Sequence, residues 1–344
     1  MLSIDGSEGE GGGQVLRTAV ALSAVTGQAV RVYNIRAKRS NPGIMPQHLS
    51  AVKAVADLCG AELKGASAGS GEIEFIPHEI RGGKLDIDVG TAGSVTLVLQ
   101  ALMIPAAFAP ETVRIRVRGG TDVRWSPSID YLRYVTLPVL GKLGYQADIK
   151  LLARGYYPAG GGKVAAEIHP VKELSSLNLT ERGRIVSAGG MSHAHRDLEK
   201  RRVAERQAKA ARTIVYNRLA NLGYSGDVDV MHEYVDALSY GSGITLWVET
   251  EKSVLGSDSP GAQGISSESV GADAANRLVQ EIDSCAPLDR YMADQIVPYL
   301  ALAGGSVSVS EVTGHTETNV NLLKAFGFDV SIQGKNITAQ KPPN

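Results

Sequence analysis

The segment LPVLGKLGYQADI, Leu137 to Ile149, carries the pattern that decides the fold. Its apolar residues first recur at helical spacing, Gly144 follows, and the residues after the glycine alternate as in a strand. The same pattern returns in AVADLCGAELKG, residues 54–65, and in NLLKAFGFDVSI, residues 321–332. A pattern that returns in this way predicts copies of one structural module.

Each copy is preceded by another apolar helix. The segments GGGQVLRTAVALSAVTG (11–27) and GTAGSVTLVLQALMIPA (90–106) open on glycines and lead into strand-like residues. The third copy has MADQIVPYLALAGG (292–305) followed by SVSVSEV (306–312). Each copy thus contains two segments in which a helix is followed by a strand. Together these segments predict an α/β (α+β) fold of three repeated modules, each with two helices on a four-stranded sheet.

The spacing between copies predicts an insertion. Gly144 follows Gly60 by 84 residues, whereas Gly327 follows Gly144 by 183. The excess of about 100 residues predicts a smaller inserted α/β domain at 183–284. We expect the modules to span about 1–82, 83–170, and 171–182 together with 285–344.

The inserted segment has a pattern of its own. Its sequence predicts a first strand in RIVSAGGM (184–191), a long charged helix over 197–222, two further strands, and a helix over 272–283. The stretch EKRRVAERQAKAAR (199–212) is strongly basic, and it suits either a solvated face or a surface that guides RNA, of which we favour the solvated face.

Composition narrows the class of protein. The net charge of −1 argues against indiscriminate binding of nucleic acid, and 43% hydrophobic residues suit a globular chain. The longest apolar run, 97–110, is too short to cross a bilayer, and the first ten residues do not resemble a secretory signal. We therefore expect a cytoplasmic protein, with Cys59 and Cys285 as buried, reduced thiols.

One local charge asymmetry stands out against that average. Residues 11–56 contain no Asp or Glu, yet they contain six basic residues: Arg17, Arg31, Arg36, Lys38, Arg39 and Lys53. Because a solvated face usually mixes both signs, this segment predicts a local site for a polyanion.

The glycine-rich stretch GSEGEGGGQ, residues 6–14, also suits an anion. It matches neither the P-loop pattern nor G-x-G-x-x-G, but it opens a helix whose free N–H groups favour negative charge. Glu10 could hold Mg²⁺ beside a triphosphate there, or could simply favour the helix dipole.

Three histidine sites deserve comparison. His315 lies in the polar stretch GHTETN, which we predict to be the loop before the last helix, and the corresponding loop of the first copy carries Gln47 and His48. In the second copy that loop spans 126–130. His193 and His195 form H-x-H on one strand face, which suits zinc or a structural role; with no cysteine nearby, we favour the structural role.

Seven motifs in order resemble RNA 3′-terminal phosphate cyclase. They are IDGSEGEGGGQVLRTAVALS, IRAKRSNPGIMPQHLSAVKA, GTAGSVTLVLQ, RGGTDV, YYPAGGG, YMADQIVPYLALAGG and GHTETN. The resemblance implies three modules similar to the C-terminal domain of translation initiation factor 3, plus an inserted α/β domain.

The resemblance also implies a ligase-type reaction. ATP converts an RNA 3′-phosphate into a 2′,3′-cyclic phosphodiester through a histidine–AMP intermediate and an RNA(3′)pp(5′)A intermediate, with release of AMP and pyrophosphate. In this sequence the adenylylated histidine corresponds to His315, followed by Thr318 and Asn319 of the H-x-x-T-N pattern.

Further roles follow from the resemblance alone. Glu10 would hold Mg²⁺ or Mn²⁺. Residues that would bind ATP or phosphate are Arg17, Arg36, Arg39, Gln47, His48, Gln100, Pro127, Asp130, Tyr131, Tyr291, Met292, Ala293, Asp294 and Gln295. Among these, Pro127 and Tyr291 would sandwich the adenine. The implied partners are ATP and RNA with a 3′-phosphate end, no membrane is implied, and a homodimer is left open.

Two other classes share features of this pattern. A cyclase-like ribosome-biogenesis protein binds without cyclase activity and lacks the histidine, so His315 disfavours it. Enolpyruvyl transferases share the repeated module but act on small phosphorylated metabolites without a covalent histidine. We therefore favour the cyclase.

Overall fold

The computed structural model describes residues 1–9 and 12–342. Within this part of the chain the strands form four sheets of four strands each. Three sheets share one topology and the fourth belongs to the inserted segment, so the predicted α/β fold of three repeated modules with an inserted domain is confirmed.

The first module sets the pattern. Its elements are β1 (Leu2–Asp5), α1 (Gln14–Thr26), β2 (Val30–Tyr33), α2 (Pro46–Cys59), β3 (Glu62–Lys64) and β4 (Ile73–Ile76). The strand order is β1-β2-β4-β3, with β1 and β2 parallel and the other pairs antiparallel. Both helices end at a glycine in the left-handed region, which the repeat predicted for α2.

The second module repeats this order. Its elements are β5 (Gly83–Asp88), α3 (Val95–Ala106), β6 (Val113–Gly119), α4 (Ile129–Tyr131), a π-helical turn (Leu132–Thr136), α5 (Leu137–Gly141), β7 (Ala147–Ala153) and β8 (Gly162–Ile168). The strand order β5-β6-β8-β7 matches that of the first sheet. A wide π-helical turn therefore interrupts the second helix of this module.

The third module begins with β9 (Leu177–Leu179), after which the chain enters the inserted segment. That segment contains β10 (Ile185–His195), a 3₁₀ turn (Arg196–Arg201), α6 (Val203–Asn221), β11 (Val228–Val235), β12 (Ser242–Thr250), β13 (Val254–Pro260) and α7 (Ser267–Asp283). The strand order is β11-β10-β12-β13, and α6 and α7 pack on the sheet and on each other.

Two details of the inserted segment differ from the sequence prediction. The strand β13 was not predicted, because its sequence VLGSDSP lacks apolar alternation; pairing with β12 holds it extended. Helix α7 begins at Ser267 rather than at residue 272, because the Ser266 hydroxyl accepts a hydrogen bond from the backbone N–H of Ser269 and caps the helix.

The chain then returns to complete the third module. The remaining elements are α8 (Arg290–Ala303), β14 (Gly305–Ser308), α9 (Gly314–Ala325), β15 (Val330–Gln333) and β16 (Asn336–Ala339). The strand order β9-β14-β16-β15 repeats the topology of the first two sheets. The insertion thus separates the first strand of the module from its first helix.

One hydrophobic core runs through all three modules, while the inserted segment has its own. Helix α1 packs against α2, α3 and α9, so helices from different modules meet around it. No helix within residues 1–9 and 12–342 is long and apolar enough to span a bilayer. Both cysteines are free thiols; Cys59 is buried as predicted, but Cys285 is exposed, contrary to the prediction.

Candidate active site

His315 lies in the first turn of α9 and not in the loop before it, as the sequence had predicted. The helix begins at Gly314 because the Thr313 hydroxyl accepts a hydrogen bond from the N–H of Thr316 at 3.2 Å. The imidazole of His315 is exposed. It therefore stands at the positive end of a helix, where negative charge is favoured.

Gln14 fixes the proton of His315. The Nδ1 atom of His315 lies 2.8 Å from the Gln14 side-chain oxygen, which can only accept a hydrogen bond. The Gln14 amide nitrogen meanwhile donates to the backbone oxygen of His315 and to Asp294, so the amide cannot be turned around without losing both bonds. In this arrangement Nδ1 therefore carries a proton that it donates to Gln14.

Asp294 and Arg17 lie behind this pair. Burial raises the pKa of Asp294 to about 7, although the nearby charge of Arg17 opposes the rise. Burial lowers the pKa of Arg17 to about 10, which leaves it cationic at neutral pH. The Asn319 amide donates to the backbone oxygen of Asp294 at 2.8 Å and accepts from the Thr18 hydroxyl at 3.2 Å. Helices α1, α8 and α9 are thereby joined at the site.

His48 is the second histidine of the site. It is buried, and burial together with the charges of Arg17 and Arg36 lowers its pKa to about 3. Its two ring nitrogens face the backbone N–H of Met45 at 3.3 Å and the amide nitrogen of Gln47 at 3.5 Å. Because both neighbours are donors, a protonated ring is disfavoured here, and His48 is neutral.

The glycine-rich loop lies directly against these side chains. A Cβ atom added to Gly13 would lie 2.1 Å from Nε2 of His48 and 2.9 Å from a guanidinium nitrogen of Arg17. One added to Gly12 would lie 3.4 Å from Arg39. Gly13 is therefore required for space, and it lets the backbone come close to two residues of the predicted phosphate site.

The predicted arginine cluster is assembled around this loop. Arg36 has a left-handed backbone, with φ of 55°, and its guanidinium donates to the backbone oxygens of Asn41 and Gly43. Burial and the charge of Arg39 lower the pKa of Arg36. Arg39 itself is exposed. The structure thus brings the first-module residues of the prediction together beside α9.

Gln47 extends the site toward the second module. Its side-chain oxygen accepts a hydrogen bond from the N–H of Ser94 at 3.0 Å, at the start of α3. The Ser94 and Thr96 hydroxyls share a hydrogen bond of 2.7 Å, and Thr96 donates to the backbone oxygen of Pro127 at 2.8 Å. A continuous chain of hydrogen bonds therefore links the phosphate side of the site to Pro127.

A second chain of hydrogen bonds joins α3 and α8. The Gln100 amide donates to Gln295 at 2.8 Å, and Gln295 also accepts from the Thr136 hydroxyl of the π-helical turn. The Gln295 amide donates in turn to the backbone oxygen of Tyr291 at 2.7 Å. All of these side chains except Thr136 are partly exposed. Gln100, Gln295 and Tyr291 thus occur together, as the prediction required.

Four other predicted residues lie beneath the surface. The side chains of Asp130, Tyr131, Met292 and Ala293 are almost completely buried. Asp130 pairs with Arg154 at 2.6 Å and with Arg133 at 3.1 Å, while the Tyr131 hydroxyl donates to Asp289 at 2.7 Å. In this arrangement these residues support the site from behind and have no surface open to a ligand.

Comparison with known proteins identifies the family. The family model for RNA 3′-terminal phosphate cyclase matches residues 8–333. The chain belongs to that family. The RNA 3′-terminal phosphate cyclase of Pyrococcus furiosus is 48% identical over 326 residues, which cover 95% of this chain and 93% of the relative.

Other cyclases of this name are equally similar. That of Ignicoccus hospitalis is 48% identical over 343 residues, covering 97% of this chain and 96% of the relative. That of Methanosarcina barkeri is 47% identical over 329 residues, covering 95% of this chain and 94% of the relative. The similarity therefore extends over nearly all of this cyclase-family chain.

A buried charged cluster joins the second module to the inserted segment. Arg154 donates to Asp130, Asp122 and Glu233, and His193 contacts both Asp122 at 3.3 Å and the Tyr156 hydroxyl at 2.8 Å. Burial alone would raise the pKa of Asp122, but His193 and Arg154 lower it below its ordinary value. Sequence reasoning missed this cluster because its members come from distant segments.

The cluster does not suit a metal ion. Asp122, Asp130 and His193 offer ligand atoms within 4.8 Å of one another, but the guanidinium of Arg154 already bonds both carboxylates. His193 is thus a structural residue of this cyclase-family chain, as favoured from the sequence. The ring of His195 contacts the backbone oxygen of Ala237 at 3.2 Å. Glu10, the predicted metal ligand, lies outside the described residues.

Part of the basic charge of helix α6 is compensated locally. Arg206, Arg212 and Arg218 pair with Glu268, Asp227 and Asp283 at 2.6–2.7 Å. The choice between a solvated face and a surface that guides RNA stays a prediction, of which we favour the solvated face.

Proposed function

We propose that this chain is an ATP-dependent RNA 3′-terminal phosphate cyclase that acts through a histidine–AMP intermediate on His315. The observation that carries the proposal is the exposed imidazole whose Nδ1 proton is held by Gln14. A ring that is protonated at Nδ1 carries its nucleophilic lone pair on Nε2, which is what nucleophilic catalysis requires. The names of the relatives support the RNA 3′-phosphate as substrate.

The first step forms the intermediate. Nε2 of His315 attacks the α-phosphorus of ATP, the bond to the bridging oxygen of the β-phosphate breaks, and pyrophosphate leaves with the electron pair. The ring retains its Nδ1 proton and becomes positively charged, and the Gln14 oxygen stabilises that proton. No separate base is needed for this step, because the neutral ring already presents its lone pair.

The second and third steps complete the cycle. An oxygen of the RNA 3′-phosphate attacks the phosphorus of the adenylylated histidine, the P–N bond breaks, and neutral His315 is restored. The product is RNA(3′)pp(5′)A. The 2′-hydroxyl then attacks the 3′-phosphorus and gives its proton to solvent, the bond to the bridging oxygen breaks, and AMP leaves with the electron pair as the cyclic phosphodiester forms. Because this last attack is intramolecular, its rate depends mainly on orientation.

The surrounding residues provide charge compensation. Arg17, Arg36 and Arg39 lie around the glycine-rich loop, and guanidinium groups suit the phosphates of ATP and of the RNA end. His48 is neutral, so it can only add a hydrogen bond and no charge. On the nucleotide side we propose that Gln100, Pro127, Tyr291 and Gln295 contact the adenosine.

A divalent ion completes the proposal. Mg²⁺ or Mn²⁺ held by Glu10 would neutralise the leaving pyrophosphate. Since Glu10 lies outside the described residues, none of the steps above depends on its geometry. We also propose that residues 1–182 and 285–344 form the catalytic core, that 183–284 form the inserted domain, and that the enzyme acts in the cytoplasm.

Incubation with ATP labelled at the α-phosphate tests the proposal. We expect protein-bound AMP that is labile to acid and stable to alkali, as a phosphoramidate is. RNA ending in a 3′-phosphate should discharge the label, whereas the same RNA ending in a 3′-hydroxyl should not. His315→Ala should abolish labelling, and the exposed His78 provides the control variant His78→Ala.

The outcomes separate the parts of the proposal. Labelling that persists in His315→Ala would reject His315 as the nucleophile. Label that forms on the wild-type protein but never passes to RNA would reject RNA as the acceptor. Absence of any label in the folded wild-type protein, with either metal, would reject the covalent pathway and favour a binding protein without cyclase activity.

A further inference from the structure

Trp125 is unusual in both exposure and backbone conformation. Its side chain is 94% exposed, although it belongs to the residue type with the largest apolar surface. Its φ of 63° places a bulky residue in the left-handed region, which is sterically unfavourable. Strain of this kind persists only where neighbouring structure enforces it, and such residues concentrate at functional sites.

Neighbouring structure does enforce the conformation. On the C-terminal side, the backbone N–H of Ser128 donates to Asp258 of the inserted segment at 2.7 Å, and the N–H of Ile129 donates to the backbone oxygen of Thr121 at 3.0 Å. Within the turn, the Ser126 hydroxyl donates to the backbone oxygen of Val123 at 3.1 Å. The backbone that carries the exposed ring is therefore held from both sides.

The position of Trp125 connects it to the candidate site. Pro127, two residues further along, accepts a hydrogen bond from Thr96, which is bonded to Ser94, which is bonded in turn to Gln47. Gln47 is adjacent to His48, whose ring lies against the loop that precedes Gln14. Trp125 therefore lies in the same loop as Pro127, which hydrogen bonds link to Gln47 beside His48.

The charge beside Trp125 suits a nucleic acid. Arg124 is exposed and forms no ion pair with any residue in 1–9 or 12–342. An aromatic face next to an uncompensated cation is the combination that holds single-stranded nucleic acid, because bases stack on the ring and phosphates pair with the charge.

We propose that Trp125 stacks on a base near the 3′ end of the RNA substrate, with Arg124 contacting an adjacent phosphate. This inference rests on the proposed function, since it assigns a position to the RNA that His315 activates. Trp125 is then a positioning residue: it holds the 3′-phosphate toward the adenylylated histidine and takes no part in transfer of AMP from ATP. Stacking of this kind tolerates any base, because every base has a π face.

Trp125→Asn provides the test, because asparagine tolerates the left-handed backbone while it removes the ring. Self-adenylylation with ATP alone should be unchanged. Discharge of AMP to a short RNA 3′-phosphate, measured below saturation, should fall roughly 5- to 150-fold, the range expected for loss of one stacked base. Trp125→Phe, which retains an aromatic ring, should recover most of the loss.

Substrates with single abasic nucleotides give a second readout. If Trp125 stacks on one base, an abasic nucleotide at that position should slow discharge by the wild-type enzyme and should have no further effect on Trp125→Asn. Trp247, the other tryptophan, is 9% exposed, so binding of RNA should quench mainly the fluorescence of Trp125. The quenching should disappear in Trp125→Asn.

The outcomes are distinguishable from failure of the proposed function. Normal self-adenylylation with unchanged RNA discharge and unchanged quenching in Trp125→Asn would overturn the stacking proposal and leave the cyclase reaction intact. Equal loss in Trp125→Phe and Trp125→Asn would also overturn it, because the ring would then not be the feature required. Absence of self-adenylylation in the wild-type protein would instead reject the proposed function.

Discussion

The second helix of the second module and that of the third begin in opposite environments. Asp130 and His315 both occupy the second residue of their helices, α4 and α9, and both helices are capped by a side-chain hydroxyl. Asp130 is completely buried and bonded to Arg154, whereas His315 is exposed and its Nδ1 atom contacts Gln14. The same position of the repeat thus lies in the candidate site in the third module and in a buried interface in the second.

The difference lies in what covers each helix. The inserted segment packs over the start of α4 and contributes Glu233 and His193 to the buried cluster. The first turn of α9 faces the glycine-rich loop of the first module instead. A repeated fold can therefore specialise its copies through charge compensation and covering, without any change of topology.

Removal of Arg154 should give the largest effect on stability. Arg154→Met leaves Asp122 and Asp130 buried without their cation, and loss of one partner of a buried pair costs about 3–5 kcal/mol. Urea unfolding should report this loss in the free energy of unfolding. Arg133→Met, which removes the more exposed partner of Asp130, should cost less than about 1 kcal/mol. Equal losses in the two variants would contradict the assignment.

Removal of the Gln14 side chain should lower the rate of self-adenylylation rather than the stability of the fold. Gln14→Ala frees the Nδ1 proton and lets the ring of His315 rotate, so we expect the rate of self-adenylylation to fall about 10- to 100-fold. The affinity for ATP should change much less, because Gln14 orients the nucleophile rather than the nucleotide. Pre-steady-state labelling at several ATP concentrations separates the two quantities.

The control for this variant is Gln28→Ala, which alters an exposed glutamine at the other end of α1. It should leave both quantities unchanged. A loss of ATP affinity as large as the loss of rate would show that Gln14 binds the nucleotide instead of orienting His315.

A methyl group on Gly13 should have a smaller effect on the same site. Gly13→Ala introduces a Cβ that must displace His48 or Arg17, and overpacking of this kind costs typically about 1–3 kcal/mol. We expect slower self-adenylylation, roughly 10-fold, with a normal circular dichroism spectrum. Gly12→Ala in the same loop meets only Arg39 at 3.4 Å and should be nearly neutral. Equal activity of the two variants would contradict the close approach at Gly13.

The pH dependence of stability should report the buried carboxyl group of Asp294. Burial raises the pKa of Asp294 from 3.8 to about 7, so the folded protein retains a proton that the unfolded chain has lost between about pH 4 and 7. This group therefore makes the free energy of unfolding fall as the pH rises through that window. Asp294→Asn should flatten the fall in urea unfolding, whereas Asp88→Asn at an exposed position should not.

The sequence was sufficient to predict the repeated architecture because a helix, a glycine and a strand leave a periodic signal in each copy. It was also sufficient to locate the insertion, since Gly144 and Gly327 lie too far apart for one module. It failed at β13, where pairing with a neighbouring strand outweighs a sequence rich in serine and glycine. Local pattern cannot report an extended conformation that a neighbour imposes.

The sequence also predicted one part of the candidate site and missed other features of the structure. The acid-free segment correctly indicated that Arg17, Arg36 and His48 would lie together, because their charges and spacing are local. The Arg154 cluster and Trp125 gave no local signal. The Arg154 cluster depends on residues that come from the second module and from the insertion. The conformation of Trp125 depends on a backbone angle that the sequence does not reveal.

The position of the insertion has a consequence for the order in which the enzyme matures during synthesis. Strand β9 is made early, but its described partner in the sheet is β14, which begins only at Gly305. The first two modules and the inserted segment can complete their sheets before β14, the strand that pairs with β9, has been synthesised. His315 follows β14 in the chain, so this residue is positioned among the last structural events. If His315 is adenylylated as proposed, a growing chain cannot form histidine–AMP before its first two modules and the inserted segment have been synthesised.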